Sequence, residues 1–377
     1  VGPATARAIG TRPLRQLFLD GTRVGRGVAA FKASAPVLER IDVSDLVGYR
    51  PTDADLAWLA TAPHLTEVGL SGARVTDQLV LRLAARPALR ELRLAATPIT
   101  ATALTAIAAH PGLELVDLAE TRVSDAHAAA LLGHARLRVL RLDRTGITDR
   151  ALATASPALT ELYLSRTAVT DAGLAILEAT PNLVALGLGD TRVGATTLAR
   201  IGTLPALETL VLTRVEASRD ALAALAKLPR LQRLFLDGTR TNHETLDALT
   251  TRDLRVLHVA NTDVSDDALP RLRAMPALEE LSIGDTRVTS AITDLTAWPA
   301  LRTLSLLGLA IADAALPALA RGRSLVRLDL SSTEVTDPTA LLALARLRTL
   351  GLSQLRLSAP GRTATRALTG RGVDVVR

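Results

Sequence analysis

Hydrophobic residues recur along this chain in one short pattern, Leu-x-x-Leu-x-Leu. It leads from Leu14, Leu38, Leu65, Leu89, Leu113, Leu137, Leu159, Leu183, Leu207, Leu231, Leu254, Leu278, Leu301, Leu325 and Leu347. Thirteen of the fourteen spacings are 22–24 residues; the exception, Leu38 to Leu65, is 27. Fifteen copies in near-constant register make an internal repeat, and such a period decides the fold ahead of any other feature. The last two leucines of each pattern are two apart, so they share one face of a strand and the residue between them points the other way. Then the period changes. In the copy that opens at Leu159, Val169, Leu174 and Leu177 fit one buried stripe of a short helix. Thr170 is its predicted N-cap, Asp171 suits the positive end of the helix dipole, and Pro181 stops the helix before Leu183.

The same punctuation returns along the chain. Thr-Asp or Ser-Asp recurs at Thr76-Asp77, Ser124-Asp125, Thr148-Asp149, Ser265-Asp266 and Thr336-Asp337. Proline stands two before the leading Leu at Pro63, Pro87, Pro111, Pro157, Pro205, Pro229, Pro276 and Pro299. Three residues past the last strand Leu comes Thr22, Thr97, Thr121, Thr145, Thr167, Thr191, Thr239, Thr262, Thr286 or Thr333, replaced by Leu46, Ala73, Val215, Leu309 and Leu355 in the other copies. The chain turns inward there, and a stacked hydroxyl is expected to satisfy the backbone groups that the turn leaves unpaired. One strand, turn and helix cannot bury a core alone, but stacked copies can, and the product is a solenoid.

The motif resembles that of leucine-rich-repeat proteins, in particular the bacterial form Leu-x-x-Leu-x-Leu-x-x-Thr-x-Val-Thr-Asp. It is similar to the cysteine-containing subclass of F-box-type substrate receptors, where Asn or Cys commonly stands at the Thr position. The resemblance covers about residues 14–357. It implies an α/β fold, a horseshoe or arc with a parallel sheet on the concave side and short helices on the convex side. Fifteen strands about 4.8 Å apart would give an inner arc of about 70 Å. It also implies a protein that binds other proteins, although the repeat specifies the ligand hardly at all.

Residues 1–377 are expected to form one solenoid domain, with 14–357 the regular repeats, 358–377 a C-terminal cap and 1–13 the remnant of a preceding repeat. Ala4 to Ile9 reads as a helix whose strand is missing, so another domain of the same protein, or another surface, is expected to cover this end. At the other end Arg362 to Leu368 is an expected helix and Val373 to Val376 an expected edge strand. Gly25-Arg-Gly27 disturbs the first helical segment. Leu46-Val-Gly48-Tyr49-Arg50-Pro51 holds the three-residue insertion. It is expected to be a loop folded over a neighbouring helix, the alternative being a partner contact through Tyr49.

Composition narrows the function. Aromatic residues are 2% of the chain against 48% hydrophobic overall, so the core must be thin layers of Leu, Val, Ile and Ala. Cysteine is absent, which removes disulfide caps and thiolate metal sites and favours an intracellular, cytoplasmic location. No signal peptide is visible and no apolar run is long enough to span a membrane. The net charge of +6 points towards polyanions, but arginine is spread over the whole chain among 38 acidic residues. Nucleic acid is therefore disfavoured. Abundant Ala, Leu and Arg with little Lys suggests a GC-rich bacterial genome.

Catalytic patterns are missing. His64, His110, His127, His134, His243 and His258 form no His-x-x-x-His pair, and neither a phosphate-binding Gly-x-x-x-x-Gly-Lys loop nor Gly-x-Ser-x-Gly occurs. The Asp column suggests a calcium ladder less well than helix capping. No catalytic residue, metal or cofactor is expected, and the protein is read as not an enzyme.

The informative positions are then the strand residues that face away from the core: Phe18, Asp42, Gly69, Arg93, Asp117, Arg141, Tyr163, Gly187, Val211, Phe235, His258, Ser282, Ser305, Asp329 and Gly351. Three of the chain's seven aromatic residues fall in this column. Aromatic and arginine residues dominate binding hot spots. Tyr163, Val211, Phe235 and His258 form the candidate patch, with Phe18 further along the column. Arg141, Arg144, Arg166, Arg214 and Arg233 flank them, as an acidic partner surface would require or as pairs to acids on adjacent strands. Incidental exposure is the competing explanation for the aromatics. The near-repeat of Leu14–Val24 at Leu231–Thr241 fits recent duplication as well as a repeated contact.

Overall fold

The computed structural model describes residues 1–216, 219–249 and 253–377. They form two compact units, Val1–Gly187 and Leu188–Arg377. Each is a stack of repeats with a parallel sheet on one side, short helical segments on the other and leucines between. In the first unit the strands are β1 (Gln16–Phe18), β2 (Arg40–Asp42), β3 (Glu67–Gly69), β4 (Glu91–Arg93), β5 (Leu115–Asp117), β6 (Val139–Arg141), β7 (Glu161–Tyr163) and β8 (Ala185–Gly187). In the second they are β9 (Thr209–Val211), β10 (Arg233–Phe235), β11 (Val256–His258), β12 (Glu280–Ser282), β13 (Thr303–Ser305), β14 (Arg327–Asp329), β15 (Thr349–Gly351) and β16 (Asp374–Val376). Within each unit every strand pairs in parallel with the next in the chain and the sheet stays open.

The register is the one that the leucine pattern demands. Leu17, Ile41, Val68, Leu92, Val116, Leu140, Leu162 and Leu186 are cross-strand partners in order, and so are Leu210, Leu234, Leu257, Leu281, Leu304, Leu328 and Leu350. All of these are buried. A fully buried Leu side chain contributes about 2 kcal/mol by removing its apolar surface from water, so a repeated core of single leucines suffices without aromatic bulk. Two aromatic side chains are nevertheless fully enclosed: Phe31, and Trp298, whose indole N–H donates to the Leu272 carbonyl at 2.9 Å.

Each strand ends in the same bend. The third residue past it has a positive φ at all fifteen repeats from β1 to β15, eleven times in a residue other than glycine (Asp45, Ala96, Glu120 and Arg144 among them) and four times in glycine (Gly21, Gly72, Gly238 and Gly308). The next residue is the threonine of the sequence motif. In all ten copies that carry it, its hydroxyl donates back to the carbonyl of the first residue past the strand, as Thr121 does to Leu118 at 2.6 Å. The hydroxyl therefore closes its own turn, rather than bonding to the repeat above.

The Thr-Asp signature does join repeats. Asp125 accepts from the backbone N–H and the hydroxyl of Thr148, both at 2.7 Å, and Asp149 does the same for Thr170. Asp53 with Thr76, Asp77 with Thr100, Asp266 with Thr289 and Asp313 with Thr336 repeat the arrangement. Thr76, Thr100 and Thr148 also accept a backbone N–H two residues on, so the threonine caps its own helix while the aspartate holds the cap of the following repeat.

Both 22-residue copies carry 3-10 segments, whereas 24-residue copies carry either type. The 24-residue copies from Leu65, Leu89 and Leu113 carry α-helices, at Asp77–Ala84, Ala101–Ala108 and Asp125–Leu132. The 22-residue copies from Leu137 and Leu325 carry 3-10 segments, at Asp149–Leu152 and Pro338–Ala343. A 3-10 helix rises about 2.0 Å per residue against about 1.5 Å for α, so fewer residues span the same layer. In the copy from Leu159 the expected short helix is a 3-10 segment, Gly173–Ala179, and the Thr170 hydroxyl accepts the Ala172 N–H at 3.3 Å just before it. A Cβ at Gly173 would lie 3.0 Å from the Asp149 Cα, so this segment packs unusually close to the previous repeat.

At the first end a helix, Pro3–Ile9, buries Ala6 against the segment Gly25–Ser34. Gly27 permits this: a Cβ there would lie 3.0 Å from the Ala6 Cβ and 3.1 Å from the Pro3 Cα. At the other end the helix runs Ala359–Gly370, longer than Arg362–Leu368, because the Ser358 side chain caps it by accepting the Gly361 N–H at 3.2 Å. Among the described residues no helix is long and apolar enough to cross a membrane.

Asp125→Ala should lower stability by about 1–2 kcal/mol, since it leaves the Thr148 N–H without its acceptor, and Asp125→Asn should cost less. Denaturant unfolding of the two variants checks this; an Asp125→Ala midpoint equal to wild type would show that the inter-repeat bond is idle.

Candidate recognition surface

The strand register lines up the outward residues. Phe18, Asp42, Gly69, Arg93, Asp117, Arg141, Tyr163 and Gly187 are successive cross-strand partners in the first unit. Val211, Phe235, His258, Ser282, Ser305, Asp329 and Gly351 are so in the second. Tyr163 thus lies in one unit, and Val211, Phe235 and His258 in the other.

In the first unit Tyr163 is half-buried beneath a cation. The Arg141 guanidinium carbon lies 5.0 Å from the ring centroid, and the phenol hydroxyl donates to Glu161 at 3.2 Å. Burial, reinforced by the Glu161 charge, raises the phenol pKa, so Tyr163 presents a neutral hydroxyl. The Arg141 Nε is buried without a hydrogen-bond partner, and the guanidinium charge also acts on Asp117. Asp117, on the strand beside Arg141, and Asp143 both have raised carboxyl pKa values because they are buried. Asp143 accepts the Ser165 N–H at 2.9 Å. Arg144 is paired with Glu120 at 2.9 Å. Arg166 is exposed and already has an interaction partner. Phe18 stands apart on β1, 51% exposed, with the Arg40 guanidinium 5.3 Å from its centroid.

In the second unit three predicted residues come together. Phe235 pairs in register with Val211 on one side and His258 on the other. The Phe235 and His258 rings meet edge-on, with centroids 4.6 Å apart and planes at 70°. His258 sits between two carboxylates, Glu280 at 3.0 Å from Nε2 and Asp237 at 3.7 Å from Nδ1. Burial alone would lower its pKa; the two carboxylates outweigh burial and raise it. Arg233 is exposed and lines a shallow groove with Phe235, Val256, Glu280 and Arg327. Arg214 is bound to Asp190 through two nitrogens and is not a free selector.

Position in the repeat located the column, but not the acids that tie down its bases. Asp237 and Glu280 lie one strand to either side of His258, invisible to a search along the chain for His-rich spacing. The sequence also gave no sign of the use made of Gly187. A Cβ there would meet the Tyr163 Cδ1 at 2.8 Å, so the tyrosine leans over the glycine. Asp42 over Gly69 and Asp329 over Gly351 are packed in the same way. Among the described residues no group of three or more His, Asp or Glu side chains is placed to hold a metal ion.

No protein-family model matches the chain, and no curated protein matches it. Among solved structures, an internalin of Listeria monocytogenes is similar over 86% of this chain and 89% of its own, at 18% identity and a TM-score of 0.57. A leucine-rich-repeat protein of Leptospira interrogans aligns over 100% of this chain and 98% of its own, at 16% identity and a TM-score of 0.45. The likeness to the internalin, with the open parallel sheet and the repeat register, defines the fold as a leucine-rich-repeat solenoid.

His258→Gln gives a pH test. A raised folded-state pKa means that the charged pairs of His258 stabilise fully below the unfolded value, about pH 6.5, and that this contribution is lost as pH rises through the higher folded value. Wild type should therefore exceed His258→Gln in stability by more at pH 6 than at pH 9, as read by urea unfolding. A gap that is constant, or larger at pH 9, would refute the pairing.

Proposed function

We propose that this protein is a non-catalytic recognition scaffold that binds a partner protein on the outward face of its sheet. The observation that carries the reading is the row Val211, Phe235 and His258, with Phe235 only half-buried in a row that continues through Ser282, Ser305, Asp329 and Gly351. An aromatic held rigidly by its neighbour loses little conformational freedom on binding and contributes large apolar area. Tyr163 under Arg141 is a second anchor, within the first unit. Arg233, exposed beside Phe235, is the cation best placed to meet an acidic partner surface; Arg144 and Arg214 already have acids. The Thr-x-Val-Thr-Asp motif and the Arg-rich, Lys-poor composition support a bacterial protein acting as the sensor or substrate-receptor part of a larger assembly. The lack of cysteine fits a cytoplasmic location.

Polyanion binding through the same arginines is the second reading. Its support is the net charge of +6, and against it stand the cross-strand ion pairs that use up Arg144 and Arg214.

Affinity capture from host extract tests both readings, with wild type, Phe235→Ala/His258→Ala and Tyr163→Ala/Arg141→Glu as baits of equal circular dichroism. A protein held by wild type and lost from either double variant is the expected result, with affinity falling at least about tenfold, or about 1.4 kcal/mol, at a true anchor. A protein retained equally by all three would move the interface off this face. Retention of nucleic acid alone, released by salt, would favour the second reading.

A further inference from the structure

The insertion between β2 and β3 makes a cavity away from the strand column. Its chain is fixed at several points. The Val47 N–H donates to the Thr22 carbonyl at 2.9 Å, and Gly48 bends with φ +71°. The Tyr49 hydroxyl donates to Asp55 Oδ2 at 2.8 Å, folding the loop onto the helix Asp53–Leu56 as expected. Pro51 then accepts the Arg74 N–H at 2.7 Å from the following repeat. The loop so held places Arg50 between Arg26 of the preceding repeat and Arg74 of the next. The three arginines line a cavity of about 520 Å³ with Leu46, Gly48, Tyr49 and Thr52.

Elsewhere arginines of successive repeats are matched by acids, as Arg15 is by Glu39, Arg255 by Glu279 and Arg287 by Asp263. None of Arg26, Arg50 and Arg74 forms an ion pair among the described residues. Asp55, the carboxylate whose field Arg26 feels, is occupied by the Tyr49 hydroxyl and by the N–H and hydroxyl of Thr52. Arg26 also meets the Tyr49 hydroxyl, but three like charges line one cavity without an ion pair, and an anion among them would be attracted to all three. A guanidinium presents a planar fork of donors that suits phosphate oxygens. A carboxylate offers two oxygens and one charge, whereas a phosphomonoester offers three oxygens and nearly two charges at neutral pH.

We propose that Arg26, Arg50 and Arg74 form a binding site for a phosphomonoester group, with the Tyr49 loop as its fixed wall. The site is independent of the sheet face, so partner recognition there can fail without affecting it.

Calorimetry on the full chain, with inorganic phosphate at pH 7.5 and constant ionic strength, tests the site. Acetate serves as the monoanion control. The expected result is saturable one-to-one binding of phosphate, weakened at least about tenfold by Arg50→Gln alone, lost in the triple variant Arg26→Gln/Arg50→Gln/Arg74→Gln, and unchanged by Arg122→Gln on another repeat. Arg50 is exposed, so its single variant reads the site even if the triple variant misfolds. Absence of saturable binding by wild type, equal affinity for acetate, or full binding by Arg50→Gln would each overturn the assignment. So would tighter binding of an oligothymidylate that the same variants abolish, which would give the cavity to phosphodiesters.

Discussion

The architecture depends on one backbone hydrogen bond that recurs just after the strand in thirteen repeats. The residue there is left-handed, a conformation that costs an L-residue other than glycine about 1–2 kcal/mol. Its N–H is what repays the strain: Ala96 donates to the Ala119 carbonyl at 2.8 Å, Arg144 to Ser165 at 2.8 Å, and Asn261 to Gly284 at 2.9 Å. The parallel ladder thus continues past the three-residue strand and into the bend. The leucine layers, the helix starts and the outward column all inherit their spacing from that bend.

Much of this was legible because it repeats. A period of 22–24 residues locates each strand, and alternation within the motif says which side chain leaves the core. Phe235 and His258 could be placed side by side on that basis alone. What a linear reading misses is chemistry between repeats. Asp125 reads as a cap for its own helix, yet its carboxylate holds Thr148, 23 residues on. For Arg144 and Arg214 the sequence left open a partner surface or a pair on an adjacent strand, and each finds an acid 24 residues earlier. Helix type was hidden for a similar reason, since Gly173 tightens its segment against Asp149 of the preceding repeat.

Exposed ion pairs such as these add little stability, typically well under about 1 kcal/mol each. Their effect on the surface is larger than their effect on the fold. By neutralising arginines along the array they leave two kinds of position chemically distinct: the aromatic and histidine row in the second unit, and the arginine cavity beside Tyr49. A chain with pI near 10.6 would otherwise attract polyanions over much of its length.

The glycine beneath Tyr163 has a bearing on transplantation. Because the tyrosine leans over Gly187, its direction belongs to two adjacent repeats and not to one. Moving the aromatic alone onto a different repeat would deliver the side chain without its aim. The transferable module is the pair, an anchor followed by the empty position downstream, so the vocabulary of this surface is written in neighbouring repeats taken two at a time.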